Sequence, residues 1–126
     1  MKLTITKEFE FDAAHKLGKE EIFGKCTNLH GHTYKLFVTV GTNTMENGMV
    51  MNFTELKQIV NEVIIKELDH HYLNEVPWLK ANLTTCENMI AEIWGRLEPE
   101  LKEREIVLIK LQLYETPTSC ATLERE

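Results

Sequence analysis

Cys26-Thr27-Asn28-Leu29-His30-Gly31-His32 runs into Tyr34, Leu36, Val38 and Val40, an apolar residue at every second position. A period of two marks a strand with one buried face, and side chains two apart point to the same side. His30 and His32 can therefore aim two imidazoles at one point. Zinc takes histidine nitrogen at about 2.0–2.1 Å, and a catalytic site uses three protein ligands with one position open. Two imidazoles fall one short, so another part of the chain must supply the third.

A candidate lies upstream. Leu3, Ile5, Phe9 and Phe11 alternate with polar neighbours, Lys7 being the exception, and predict a half-buried strand that runs into Asp12-Ala13-Ala14-His15. His15 keeps the odd parity of Phe9 and Phe11, which places it on the apolar face. Alone, it reads as a core histidine held by a backbone carbonyl. Beside a His-x-His pair, three imidazoles on a buried face are more simply a metal site.

Residues 16–29 read as a polar loop with Gly18 and Gly24, and the second strand as about His32 to Gly41, an antiparallel partner of the first. Asn47-Gly48 signals a reversal, followed by a short extended piece, Met49 to Met51. Asn52 and Glu55 form a capping box ahead of Leu56, Ile59, Val60, Val63, Ile64 and Leu68 at helical spacing. At the end of that helix come Asp69, His70 and His71. They are either polar capping or a proton-transfer pair, in which a carboxylate orients a histidine and stabilises its cation.

Thr84, as cap, and Glu87 make a second box before Met89, Ile90, Ile93, Trp94 and Leu97, in a helix expected to stop before Pro99. Glu98 to Glu105 reads as a solvated turn or short helix. Ile106 to Tyr114 predicts a central strand ending at Glu115, then a turn at Thr116-Pro117-Thr118 and a last strand from Cys120 to Leu123. The order β-β-α-α-β-β predicts one α+β domain over residues 1–126, a four-stranded antiparallel sheet with two helices on one face. The other face needs a partner, which in a chain this short points to oligomerisation.

Bulk properties narrow the function classes. At 126 residues and 43% hydrophobic, the chain can bury a single core. A formal charge of −6 without a basic patch argues against a nucleic-acid surface. No apolar run approaches the roughly 18 residues of a membrane helix, and the N-terminus lacks a signal-peptide core. The expectation is a soluble cytoplasmic protein. Its three cysteines, 26, 86 and 120, have no CxxC spacing and read as free thiols.

Six segments occur in one order: Phe11-Asp12-Ala13-Ala14-His15, Cys26-x3-His30-Gly31-His32, Gly48-Met49-Val50-Met51-Asn52-Phe53, Leu68-Asp69-His70-x2-Leu73-Asn74, Thr84-Thr85-x-Glu87 and Tyr114-Glu115-Thr116. Over nearly its whole length the chain resembles the 6-pyruvoyltetrahydropterin synthase family, which includes the 6-carboxytetrahydropterin synthases of queuosine biosynthesis. The resemblance implies a tunnelling fold, in which sheets of a trimer close into a barrel and two trimers stack as a homohexamer. It implies a pterin substrate, 7,8-dihydroneopterin triphosphate, and zinc held by His15, His30 and His32. It further implies Cys26 as general base, Asp69 with His70 as the acid/base partner, Glu115 as anchor of the pterin's guanidine-like edge, and Thr84 and Thr85 in the pterin pocket.

The three-residue gap between Cys26 and His30 resembles the carboxytetrahydropterin branch, as does Glu115-Thr116-x-Thr118-x-Cys120. Met49-Val50-Met51-Asn52 resembles the pyruvoyl branch, but Asn and Asp are similar helix caps. The expectation is a carbon–carbon lyase releasing 6-carboxytetrahydropterin, acetaldehyde and triphosphate. The alternatives are the pyruvoyl synthase and, from another class, a non-enzymatic module with a closed Cys26-His15-His30-His32 zinc site. Lys16, Lys25 and Lys35 are candidates for holding the triphosphate and read equally as solvated surface.

Overall fold

Strands β1, Thr4–His15, and β2, His30–Gly41, pair antiparallel from Thr4 opposite Gly41 to His15 opposite His30. The computed structural model describes residues 2–18 and 20–126; Met1, and Lys19 within the loop predicted over 16–29, lie outside the described residues. Directly opposed residues share a face. Phe9 with Leu36 and Phe11 with Tyr34 therefore form an apolar band, and Ala13 with His32 and His15 with His30 continue it. The opposite face carries exposed Glu8, Glu10, Asp12, Thr33 and Lys35.

Strand β4, Val107–Thr116, lies antiparallel to β2, and β5, Ser119–Glu124, lies antiparallel to β4. A short strand β3, His71–Tyr72, pairs parallel with β1 at the far edge. The sheet order is β3-β1-β2-β4-β5. This corrects the predicted four-stranded, wholly antiparallel sheet. The preceding helix ends at an extended Asp69, and His70 N–H donates to Asp12 O at 2.6 Å, which delivers the chain to the free edge of β1. The sheet is open, with β3 and β5 as its edges.

Two long helical segments cover the apolar face. Helix α1, Phe53–Val60, continues through a π-helical turn, Asn61–Ile65, into Lys66–Leu68. Asn52 Oδ1 accepts from Thr54 N–H at 2.8 Å, the predicted cap, whereas Glu55 faces Arg104 at 3.4 Å and does not close a box. The buried stripe Leu56, Val60, Ile64 and Leu68 is spaced by fours. Four α-helical residues overshoot a turn by roughly 40°, and a wider π turn takes up part of that drift.

Helix α2, Cys86–Lys102, passes through Pro99 instead of stopping before it. A mid-helix proline costs roughly 3 kcal/mol. Beyond it Leu101 is fully buried, and burial of such a side chain contributes about 1.5–3 kcal/mol, enough to draw the helix on. The cap is Thr85, whose Oγ1 accepts from Asn88 N–H at 3.2 Å, and not Thr84. The C-terminus is tied to this helix by Arg125, which lies over the Trp94 ring at 5.6 Å and pairs with Glu98.

The loops differ more. Residues predicted as an irregular loop contain two helical turns, Glu20–Phe23 and Gly24–Thr27. Asn47 and Gly48 make the expected reversal with φ of 53° and 75°, the two positive values a type I′ turn requires. Beyond it Glu46 and Met49 form an isolated bridge, and Met49–Met51 is not a strand.

Candidate metal centre

At the end of the covered face the apolar band gives way to imidazoles. The centroids of His15 and His30 are 4.5 Å apart, those of His30 and His32 4.9 Å, and those of His15 and His32 5.4 Å. The rings are tilted rather than stacked. Ligand atoms of His15, His30, His32 and Glu115 all lie within 4.8 Å of one another.

Backbone carbonyls orient two of the rings. His15 Nδ1 lies 2.9 Å from Thr84 O, and His30 Nδ1 lies 2.6 Å from Asn28 O. A carbonyl only accepts, so each Nδ1 carries the proton and each Nε2 is left with its lone pair. The Nε2 atoms of His15 and His32 are buried and have no hydrogen-bond partner among the described residues. A buried polar atom left unpaired costs about 1–3 kcal/mol. Converging imidazole lone pairs beside a carboxylate are the donor set that zinc takes. The residues present therefore fit the metal that the sequence led us to expect.

Burial holds His15 below its ordinary value of 6.5. The Thr84 carbonyl opposes this, His30 and His32 lower it further, and Glu115 raises it. The result favours the neutral imidazole. Beneath the cluster Tyr34 is fully buried with its hydroxyl unpaired among the described residues; burial, and then Glu115, push its pKa up and keep it protonated.

Glu115 owes its aim to a break in β4. Pairing with β5 is irregular between Tyr114 and Thr116, and this carboxylate emerges there. Its Oε1 lies 3.1 Å from His32 Nε2 and 3.4 Å from His15 Nε2. It also lines a groove with Glu87, Ser119 and Cys120.

Asp69 and His70 form a second group with Asp12. Asp69 Oδ1 accepts from Asp12 N–H at 2.9 Å and lies 3.1 Å from His70 Nδ1. The Asp12 amide, and then His70, hold the Asp69 carboxyl below its ordinary 3.8. His70 adopts a positive φ of 60°, an uncommon conformation for a side-chain-bearing residue. Thr33 Oγ1 bonds Asp12 Oδ1 at 2.5 Å, so Asp12 and Thr33 support a pair whose supports the sequence did not reveal. One hollow is lined by both His70 and His32.

Cys26 is half-buried at the Gly24–Thr27 turn and belongs to neither group. The fourth converging atom is thus a Glu115 oxygen and not the Cys26 sulfur. Thr84 is 1% exposed, and both its carbonyl and hydroxyl face His15. Lys35 lines a hollow shared with His32 and Glu115 and lies 3.6 Å from Glu8.

An open sheet backed by two helices, with a three-histidine, one-carboxylate cluster at one end, defines a class of α+β protein built around a candidate metal centre. The profile described as 6-pyruvoyl tetrahydropterin synthase matches residues 4–126, and the chain belongs to that family. A 6-pyruvoyl tetrahydrobiopterin synthase of Dictyostelium discoideum is 42% identical over 122 residues, covering 89% of this chain and 88% of its own. A 6-carboxy-5,6,7,8-tetrahydropterin synthase of Haemophilus influenzae is 35% identical over 137 residues, covering 91% and 94%. The solved 6-pyruvoyl tetrahydropterin synthase of Caenorhabditis elegans superposes with a TM-score of 0.87 at 29% identity, covering 98% of this chain and 96% of that one.

Proposed function

We propose that this chain is a zinc-dependent 6-carboxytetrahydropterin synthase. Its substrate is 7,8-dihydroneopterin triphosphate, and its products are 6-carboxy-5,6,7,8-tetrahydropterin, acetaldehyde and triphosphate, in queuosine biosynthesis. The observation that carries an enzymatic reading is the set of buried imidazole nitrogens, unpaired among the described residues, beside Glu115. For the branch, the support is the three-residue gap from Cys26 to His30. In the fold that gap is the short passage from the Gly24–Thr27 turn to β2, and Asn28 within it orients His30.

On this reading His15, His30 and His32 hold the metal. When bound, zinc supplies a Lewis acid that stabilises negative charge on side-chain oxygens of the substrate. Cys26 accepts a carbon-bound proton as a thiolate. Asp69 keeps His70 oriented and stabilises its cation, so that His70 gives and takes protons. Glu115 uses its remaining oxygen on the amino edge of the pterin, where a carboxylate accepts charge-assisted hydrogen bonds. Thr84 and Thr85 back the pocket wall. The open edges of the sheet, β3 and β5, support assembly into a trimeric barrel and a hexamer.

The 42% identity to the Dictyostelium relative favours a second reading, the pyruvoyl synthase, in which triphosphate is eliminated and the carbon chain is kept. Incubating the zinc-loaded chain with 7,8-dihydroneopterin triphosphate separates the two. Acetaldehyde and a carboxypterin by mass spectrometry are expected. A pyruvoyl product would replace the first reading with the second, and unchanged substrate would defeat both.

A further inference from the structure

Lys16, the residue after His15, has both backbone groups taken by one side chain. Its N–H donates to Asn74 Oδ1 at 3.1 Å, and its carbonyl accepts from Asn74 Nδ2 at 2.9 Å. Asn74 Oδ1 also accepts from the Thr84 hydroxyl at 3.5 Å. That hydroxyl oxygen lies 3.1 Å from His15 Nδ1.

The directions along this chain are forced. A backbone N–H only donates, so Asn74 turns its oxygen to Lys16. The amide oxygen only accepts, so the Thr84 proton points to Asn74. Lone pairs of the Thr84 oxygen then face His15, and the proton sits on Nδ1. The Thr84 carbonyl, 2.9 Å away, requires the same tautomer. Nε2 is left as a lone pair among His30, His32 and Glu115.

We infer that Asn74 and Thr84 are positioning residues for the metal centre, locking the tautomer and the ring orientation of His15. The inference rests on the proposed ligand role of His15. It goes further by giving Asn74 a part and by turning Thr84 from pocket wall to inward support. His15 and Thr84 are each 1% exposed, so water cannot substitute for a lost partner. Outer partners of this kind are worth about 10- to 100-fold in metal affinity.

The test measures zinc affinity by competition with a chelating dye, and the order of the His15 ring by NMR relaxation of its labelled nitrogens in the metal-free chain. Thr84→Val removes the hydroxyl at nearly constant volume, Thr84→Ser restores it, and Asn74→Ala removes the anchor. Thr84→Val and Asn74→Ala are expected to bind zinc about 10- to 100-fold more weakly, with a more mobile His15 ring whose Nδ1 proton the Thr84 carbonyl still holds, and Thr84→Ser to recover both affinity and ring order. Unchanged affinity and an equally ordered His15 ring in Thr84→Val would overturn the inference, as would a lowered melting temperature with zinc affinity intact. If Asn74→Ala does not fold, the two Thr84 variants decide. If the unaltered chain binds no zinc, the ligand role of His15 fails, and the order of the His15 ring in Thr84→Val alone decides the positioning role.

Discussion

Glu115 Oε1 lies 3.1 Å from His32 Nε2 at the one place where β4 loses its regular pairing with β5. A bulge redirects a side chain that a regular ladder would hold in step. One carboxylate oxygen faces the imidazoles, leaving the other for a ligand.

Glu115→Gln should therefore leave zinc content unchanged and raise the KM for the pterin. Loss of a hydrogen bond to a charged group is worth about 1.5–3 kcal/mol, or roughly 10- to 100-fold. Loss of zinc from this variant would make Glu115 a ligand and not an anchor.

Cys26 stands apart from the converging donor atoms. Cys26→Ala should keep zinc and stability and lose at least about 100-fold in turnover, the scale of a missing general base. Released metal would revive the closed four-ligand site, and retained turnover would remove Cys26 from the mechanism.

Zinc should act as a stabilising ligand. At about 100 times its Kd it adds about 2.7 kcal/mol, worth roughly 10 °C in melting temperature for a domain of this size. His15→Ala should abolish that increment; an equal zinc-dependent shift in the variant would place the metal elsewhere.

The metal-free chain should weaken on mild acidification. His15 is held below 6.5, first by burial, so between its folded value and 6.5 the unfolded chain binds the extra proton. Stability then rises with pH through that window and is independent of His15 above it. Melting temperatures measured from pH 7 to 5 should fall less steeply in His15→Gln than in the unaltered chain. Identical slopes would contradict the assignment.

Cys86 donates to Leu113 O at 3.1 Å, and burial pushes its thiol up to about 11. An alkylating reagent at pH 7 should spare Cys86 until the chain unfolds while modifying exposed Cys120. Rapid labelling of native Cys86 would show that the α2 start opens readily.

The histidine cluster was legible because parity alone decides which side chains of a strand share a face. Three odd-even relationships, at His15, His30 and His32, suffice for the apolar band to end in imidazoles. Helix α1 was legible for the same reason, since its period and its Asn52 cap are local. What escaped depends on partners far along the chain. Thr84 has the residue type of a cap, but His15, 69 positions away, takes its hydroxyl and carbonyl, and Thr85 caps instead. Pro99 signals a stop, yet the burial of Leu101 outweighs it. Strand β3 has too few residues to show a period, and it exists because β1 offers a free edge.

The β1–β2 pairing has a consequence for the order of assembly. All three imidazoles belong to one hairpin, with His15 directly opposite His30, whereas Asn74, Thr84 and Glu115 arrive from the remainder of the chain. Contacts close in sequence form before distant ones because less loop-closure entropy stands in their way. The hairpin can thus gather its three nitrogens while the helices are still unplaced, and metal bound then would nucleate folding as well as serve the finished protein.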